Sequence, residues 1–247
     1  MVFSILENIL RNYNHCFMKL QVIFEDNHLI AVNKQAGVLV QGDETGDRPL
    51  DDMVKEYIKV KYQKPGDVFL GVCHRIDRPV SGAVIFAKTS KALERVNKLF
   101  AERKIHKTYW AIVNERPDPL NGTLVHFLDK DRERNVTKVL EGPSRRHPDA
   151  KEATLDYELI ASIGTQHLLE VHPTTGRPHQ IRAQLASIGC KIRGDVKYGA
   201  AKGNADGSIC LHCRSMSFVH PVTKLEIEIV ADIPKDPIWG MFAHLMS

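Results

Sequence analysis

Short apolar runs broken by polar turns recur along the chain and predict most of its elements. Val22-Ile23-Phe24 and Leu29-Ile30-Ala31-Val32 flank the turn-rich tetrad Glu25-Asp26-Asn27-His28, which reads as a β-hairpin. Leu50, Met53, Val54, Tyr57, Ile58 and Tyr62 recur at helical spacing. Val84-Ile85-Phe86-Ala87 reads as a core strand. Behind it, Ser90 can cap a helix with Leu93, Val96, Leu99 and Phe100 on its apolar face. The opposite face of that helix carries Lys91, Arg95, Lys98, Arg103 and Lys104. Lys107 to Val113 alternates as a strand, with Tyr109, Ala111 and Val113 on one side and Trp110 and Ile112 on the other. Further strands are predicted over 123–128, 154–159, 168–171, 211–218 and 225–230. A helix starting near Pro178 would bury Ile181, Leu185 and Ile188 and end at Gly189. From Asp129 to Pro148 the chain is strongly charged, with Val136 to Leu140 its only strand-like part, and reads as a mobile surface insertion.

Composition changes this picture little. A length of 247 residues allows one large domain or two small ones, and 43% hydrophobic with 26% charged residues is ordinary for a soluble enzyme. No apolar run approaches the roughly 20 residues that span a bilayer. Five irregularly spaced cysteines fit free thiols in a reducing cytosol better than a disulfide framework. A net charge of +4 permits a nucleic-acid partner without demanding one. Met1 to Phe17 lacks the basic opening and cleavage site of a signal peptide. Met18 stands directly before the first strand, so 1–17 reads as an extension outside the fold and 18–247 as a single domain. Phosphate-loop and dinucleotide-binding motifs do not occur. Cys210-Leu211-His212-Cys213 supplies half of a tetrahedral zinc site with no second pair at suitable spacing, so buried strand thiols are the better reading.

The chemistry concentrates in Gly71 to Lys88, where His74, Arg75, Asp77, Arg78 and Ser81 precede the core strand. Arg75 and Asp77 sit two apart, so an extended backbone points both to one face. A carboxylate between two arginines is favoured in its charged form. Gly82 permits a tight backbone or a close ligand approach. Alone, the segment reads as a loop ion pair in front of a core strand.

HRIDRPVSG, however, resembles the HR-[LI]-D-x-x-x-S-G signature of the RluA-type pseudouridine synthases, and other blocks of that pattern recur in order. They are NKQAG from Asn33, with Gln35 for the usual proline; K-x-Y-x-A-x-V from Lys107; T-T-G-R-P-H-Q-I-R from Thr174; G-D-x-x-Y-G from Gly194; and Leu211-His212 with His220-Pro221. The likeness covers about 19–239. It implies an α+β catalytic domain, a bent and largely antiparallel mixed sheet flanked by helices and loops, with an active-site cleft across the sheet. It also implies isomerisation of a specific uridine in structured ribosomal or transfer RNA to pseudouridine, after flipping of the base. By the same likeness Asp77 is the nucleophile, Tyr109 lies against the target base, and Arg182 pairs with Asp77. His74, Arg75, Arg78, Lys107, Arg177, His179 and Gln180 are its RNA contacts. No metal or cofactor is implied, since the reaction is redox-neutral, and the enzyme is expected to be cytoplasmic and monomeric. Some family members carry an N-terminal S4 RNA-binding domain; too few residues precede the motifs here, so recognition would fall to the catalytic domain. The basic face of the second helix, and Arg132, Arg134, Lys138, Arg145 and Arg146, could follow phosphates. Two other classes stand beside this reading: a non-catalytic RNA-binding factor, and a hydrolase pairing Asp77 with His74 or His179.

Overall fold

Residues 20–246 of a computed structural model are described here, and within them the chain builds one sheet of eleven strands. Strands β1 (Gln21–Glu25) and β2 (Leu29–Lys34) form the predicted hairpin, followed by helix α1 (Leu50–Lys61). Then come β3 (Gly71–Val72), β4 (Ser81–Ala87), α2 (Ser90–Ala101) and β5 (His106–Val113). The long strands β6 (Asn121–Asp131), β7 (Val136–Leu140), β8 (Lys151–Ile163) and β9 (Gln166–Pro173) precede α3 (Gln180–Ser187). Strands β10 (Leu211–Val219) and β11 (Glu226–Val230) and the short helix α4 (Pro237–Gly240) complete the domain. The sheet order is β1-β2-β4-β10-β5-β9-β8-β6-β7, with β3 added to β4 and β11 to β10. Only β4 and β10 pair in parallel, so the sheet is mixed and largely antiparallel, as expected of the α+β class.

All of β4 is buried, because β2 and β10 flank it and helices pack on it. The parallel junction sets Ser81 opposite His212 and Gly82 opposite Cys213. His212 Nε2 lies 3.2 Å from the Ala231 carbonyl and so carries the proton. Its Nδ1 is then free to accept from the Ser81 hydroxyl at 2.8 Å. The signature serine is thus a clamp between strands. At Gly82, φ is +115° and a Cβ would lie 2.3 Å from the Cys213 carbonyl oxygen. The glycine admits the neighbouring backbone, not a ligand. Gly82→Ala is expected to cost about 1–3 kcal/mol through overpacking, seen as a lower thermal midpoint; an unchanged midpoint would contradict this account.

Several local readings change. Thr89, not Ser90, caps α2, its hydroxyl accepting from the Ala92 N–H at 3.1 Å. Pro178 lies ahead of α3, which follows the left-handed His179 (φ 52°). Ile188, placed on the buried stripe, sits at the helix end and is 36% exposed. The charged stretch after Asp129 is not a loose insertion: β6 runs on to Asp131 and pairs with β7 through Val136. Polar side chains suit such a ribbon because one face meets water. The extension over 1–17 lies outside the described residues. Among the described residues no helix is long and apolar enough to cross a membrane.

Candidate active site

The turn ahead of β4 presents Asp77 to a cleft of about 1220 Å³, above the roughly 300–1,000 Å³ of small-molecule pockets. Arg182, in the first turn of α3, donates from Nη1 to Asp77 Oδ2 at 2.9 Å. Its other nitrogens grip Asp195, Nε to Oδ2 at 2.7 Å and Nη2 to Oδ1 at 2.8 Å. Asp195 is 1% exposed and Arg182 5%, whereas the Asp77 side chain is 28% exposed. Burial opposes the guanidinium charge, but the two carboxylates outweigh it and hold Arg182 firmly protonated. One carboxylate anchors the arginine, and the arginine aims the other at the cleft.

Tyr198 stacks its ring on Arg182 at 5.0 Å, and its hydroxyl lies 2.8 Å from both His179 Nδ1 and the Thr137 amide. The Thr137 hydroxyl donates to the Pro178 carbonyl at 2.8 Å, so the β6–β7 ribbon braces the start of α3. His179 Nε2 lies 3.3 Å from Lys130 Nζ and 3.9 Å from Asp77 Oδ2. Burial pushes His179 down to about 4; Asp77 opposes this, and Arg182, Lys130 and Lys197 add to it. A value this far below neutral pH makes the imidazole a weak proton acceptor, which counts against a hydrolase pairing it with Asp77.

Tyr109 is 9% exposed on the cleft wall, on β5 opposite Cys213. Burial and the neighbouring Cys213 raise its phenol well above the usual range, so it is protonated at neutral pH. Lys107 lines the same wall, its Nζ 3.4 Å from the Thr175 carbonyl, and burial lowers its ammonium. Cys213 is a buried strand thiol, as read, and Cys210 is buried just ahead of β10.

The expected contact residues divide. Arg75 and Arg177 reach the cleft, Arg75 exposed and Arg177 tied by Nε to the Glu152 carbonyl at 3.0 Å. Arg78 does not line it: it pairs with Asp47 at 2.5 Å and donates to the Gly37 carbonyl. Arg75 donates to Gln41, so Asp77 is not held between Arg75 and Arg78, and its clamp is Arg182. His74 accepts the Ile85 amide proton on Nε2 at 3.0 Å and packs on Phe100; burial and Lys107 push it down to about 3. Gln180 accepts from Thr175 and the Arg177 amide and donates to the Thr154 carbonyl. Both shape the walls more than they offer free groups to a ligand.

Lys34 escaped the sequence reading. Fully buried, it donates to the carbonyls of Gln35, Val38 and Arg78 at 3.0, 2.7 and 3.1 Å. Burial pushes it down to about 7, with Asp77 opposing and Arg78 adding. Three carbonyls match the three protons of an ammonium, so its charge ties the hairpin to the back of the Asp77 turn.

His74, His179 and His212 have a common consequence, since their folded values of about 3, 4 and 4 all lie below 6.5. As pH falls below 6.5 the unfolded chain takes up protons first. Stability is therefore expected to fall between pH 6.5 and about 4. Thermal midpoints measured from pH 7.5 downward check this, and a flat profile would refute it.

A cleft this size, lined by arginines and holding a clamped carboxylate, defines an enzyme that works on a polyanionic substrate. The family model described as RNA pseudouridylate synthase matches residues 28–187, and the chain belongs to that family. It is 30% identical over 240 residues to the tRNA pseudouridine synthase C of Vibrio parahaemolyticus, covering 90% of this chain and 93% of that one. It is 33% identical over 197 residues to the mitochondrial pseudouridylate synthase RPUSD4 of Xenopus tropicalis, covering 73% of this chain but only 60% of that longer one. The fold is similar to the solved structure of human RNA Pseudouridylate Synthase Domain Containing 4, with a TM-score of 0.74, 23% identity, and coverage of 99% of this chain and 96% of that one.

Proposed function

We propose that the protein isomerises a uridine of structured RNA to pseudouridine, with Asp77 as nucleophile. The observation that carries this is the Asp195–Arg182–Asp77 chain of contacts, which delivers one aimed carboxylate to a cleft large enough for a flipped nucleotide. The bond from ribose C1′ to N1 of uracil breaks, the base turns, and C5 joins C1′. The C5 proton leaves, and N1, freed from C1′, takes one up. No electrons are exchanged. The base must leave its stack to reach Asp77, and Arg75 is placed to hold the phosphate of the flipped nucleotide.

Tyr109 supports the flipped base with its ring. Its hydroxyl is neutral at pH 7 and can take the C5 proton only by passing on its own, which makes it a relay. Tyr109→Phe is expected to keep RNA binding and to lower tritium release from 5-tritiated uridine RNA about a hundredfold or more. Undiminished release would remove the hydroxyl from the mechanism.

The near end-to-end match with a transfer-RNA enzyme supports transfer RNA as the first substrate, with ribosomal RNA second. Carbodiimide-blocked primer extension on total RNA, from cells with and without the gene, tests the function. Loss of one or a few pseudouridine stops is the expected result. No lost stop in either RNA class would favour the non-catalytic RNA-binding reading.

A further inference from the structure

One aromatic ring in the cleft has no part in the chemistry above. Phe69 lies in the loop before β3, lines the same cleft as Asp77, and is 49% exposed. A lone exposed phenylalanine is unremarkable on a protein surface, but this one stands on a wall of the site.

The strand register fixes where. Gly71, two residues on from Phe69, pairs with Ala87, whereas Gly82 stands at the Asp77 end of β4. These positions are five residues apart on β4, roughly 17 Å at ~3.3 Å per strand residue. A stacked nucleotide advances its strand by only about 3.4 Å. A uridine flipped to Asp77 would then leave the Phe69 end free for another part of the RNA.

The surroundings select which part. Leu70 and Leu93 line the cleft beside the ring, and Leu93 sits so close over Gly71 that a Cβ there would lie 2.7 Å from it. Lys55, which also lines the cleft, is taken by Asp52 at 2.9 Å and Asp51 at 3.4 Å. An exposed ring beside two leucines suits an uncharged flat group. Resting on the reading of the site as a pseudouridine synthase, we infer that Phe69 is a stacking platform for an unpaired base of the substrate RNA outside the target nucleotide. It sets which RNA contexts are accepted, and does not touch the reacting atoms.

Steady-state tritium release tests this, using 5-tritiated bulk transfer RNA from cells lacking the gene, or ribosomal RNA if that is where release occurs. Base–aromatic stacking corresponds to a change of about 5- to 150-fold in affinity. Phe69→Ala and Phe69→Leu are expected to raise KM within that range and leave kcat unchanged. Phe69→Tyr and Phe69→Trp are expected to stay within about twofold of the parent. A leucine that behaves like phenylalanine, or an alanine variant whose KM is unchanged, overturns the inference. So does an alanine variant whose only change is a lower thermal midpoint. Absence of tritium release by the unaltered protein from either RNA is a different failure, that of the underlying reading.

Discussion

Asp77→Asn is expected to abolish pseudouridine formation, with turnover falling at least about a thousandfold, while RNA binding stays intact. The change keeps the side chain's shape and removes its charge and nucleophilicity. Arg182 keeps its bidentate grip on Asp195, so no buried cation is stranded. Asp77 itself is part-exposed, so its loss as an acceptor costs the fold little. Removing a negative charge from a cleft that receives RNA cannot weaken phosphate binding electrostatically. Tritium release and a filter-binding titration on the same preparation separate the two effects. Turnover within tenfold of the parent would dismiss Asp77 as nucleophile, and lost binding with retained turnover would make it a recognition residue.

How far the chain could be read in advance depended on the range of the interaction. The β1–β2 hairpin, α1 and β4 were legible because period and turn chemistry are local; the structure places the hairpin and α1 within a residue or two, and β4 starts three residues earlier, at Ser81. The cap of α2 slipped by one residue because Thr89 and Ser90 are both good caps and only the backbone angle decides between them. The run of β6 past Asp129 and its pairing with β7 were missed because the residues there are charged, and the ribbon is held by pairing to β8 and by Thr137 reaching Pro178 and Tyr198. Nothing local announces such contacts. At the site, Asp77, Tyr109 and Arg182 were named by resemblance, and the structure brings all three to one cleft. Local spacing misassigned the charge partners, because Arg78 is spent on Asp47. Asp195 and Tyr198 lay in a block already noted, G-D-x-x-Y-G, yet no periodicity told that Asp195 would turn back on Arg182 thirteen residues earlier. Lys34 was invisible for the opposite reason: a lysine reads as surface until three carbonyls are found to converge on it.

That missed aspartate carries the second large effect. Asp195→Ala would leave Arg182 buried with a single partner on one nitrogen, and breaking a buried pair this way costs about 3–5 kcal/mol. At roughly 2–4 °C per kcal/mol for a domain of this size, the thermal midpoint is expected to fall by about 6–20 °C. Activity is expected to fall with it, even at temperatures where the variant is folded, because the arginine no longer has a fixed direction for Asp77. A companion variant separates these effects. Asp195→Leu with Arg182→Met removes both charges and fills the space with apolar groups, a change often neutral for stability. The double variant is expected to regain most of the lost midpoint and yet stay inactive, since Asp77 then faces the cleft with no cation behind it. Recovery of activity together with stability would show that the pair serves only packing. Neither recovering would mean that the charge pair itself is needed for the fold. Stability regained with activity lost is the one outcome in which Asp195 acts on the chemistry through Arg182.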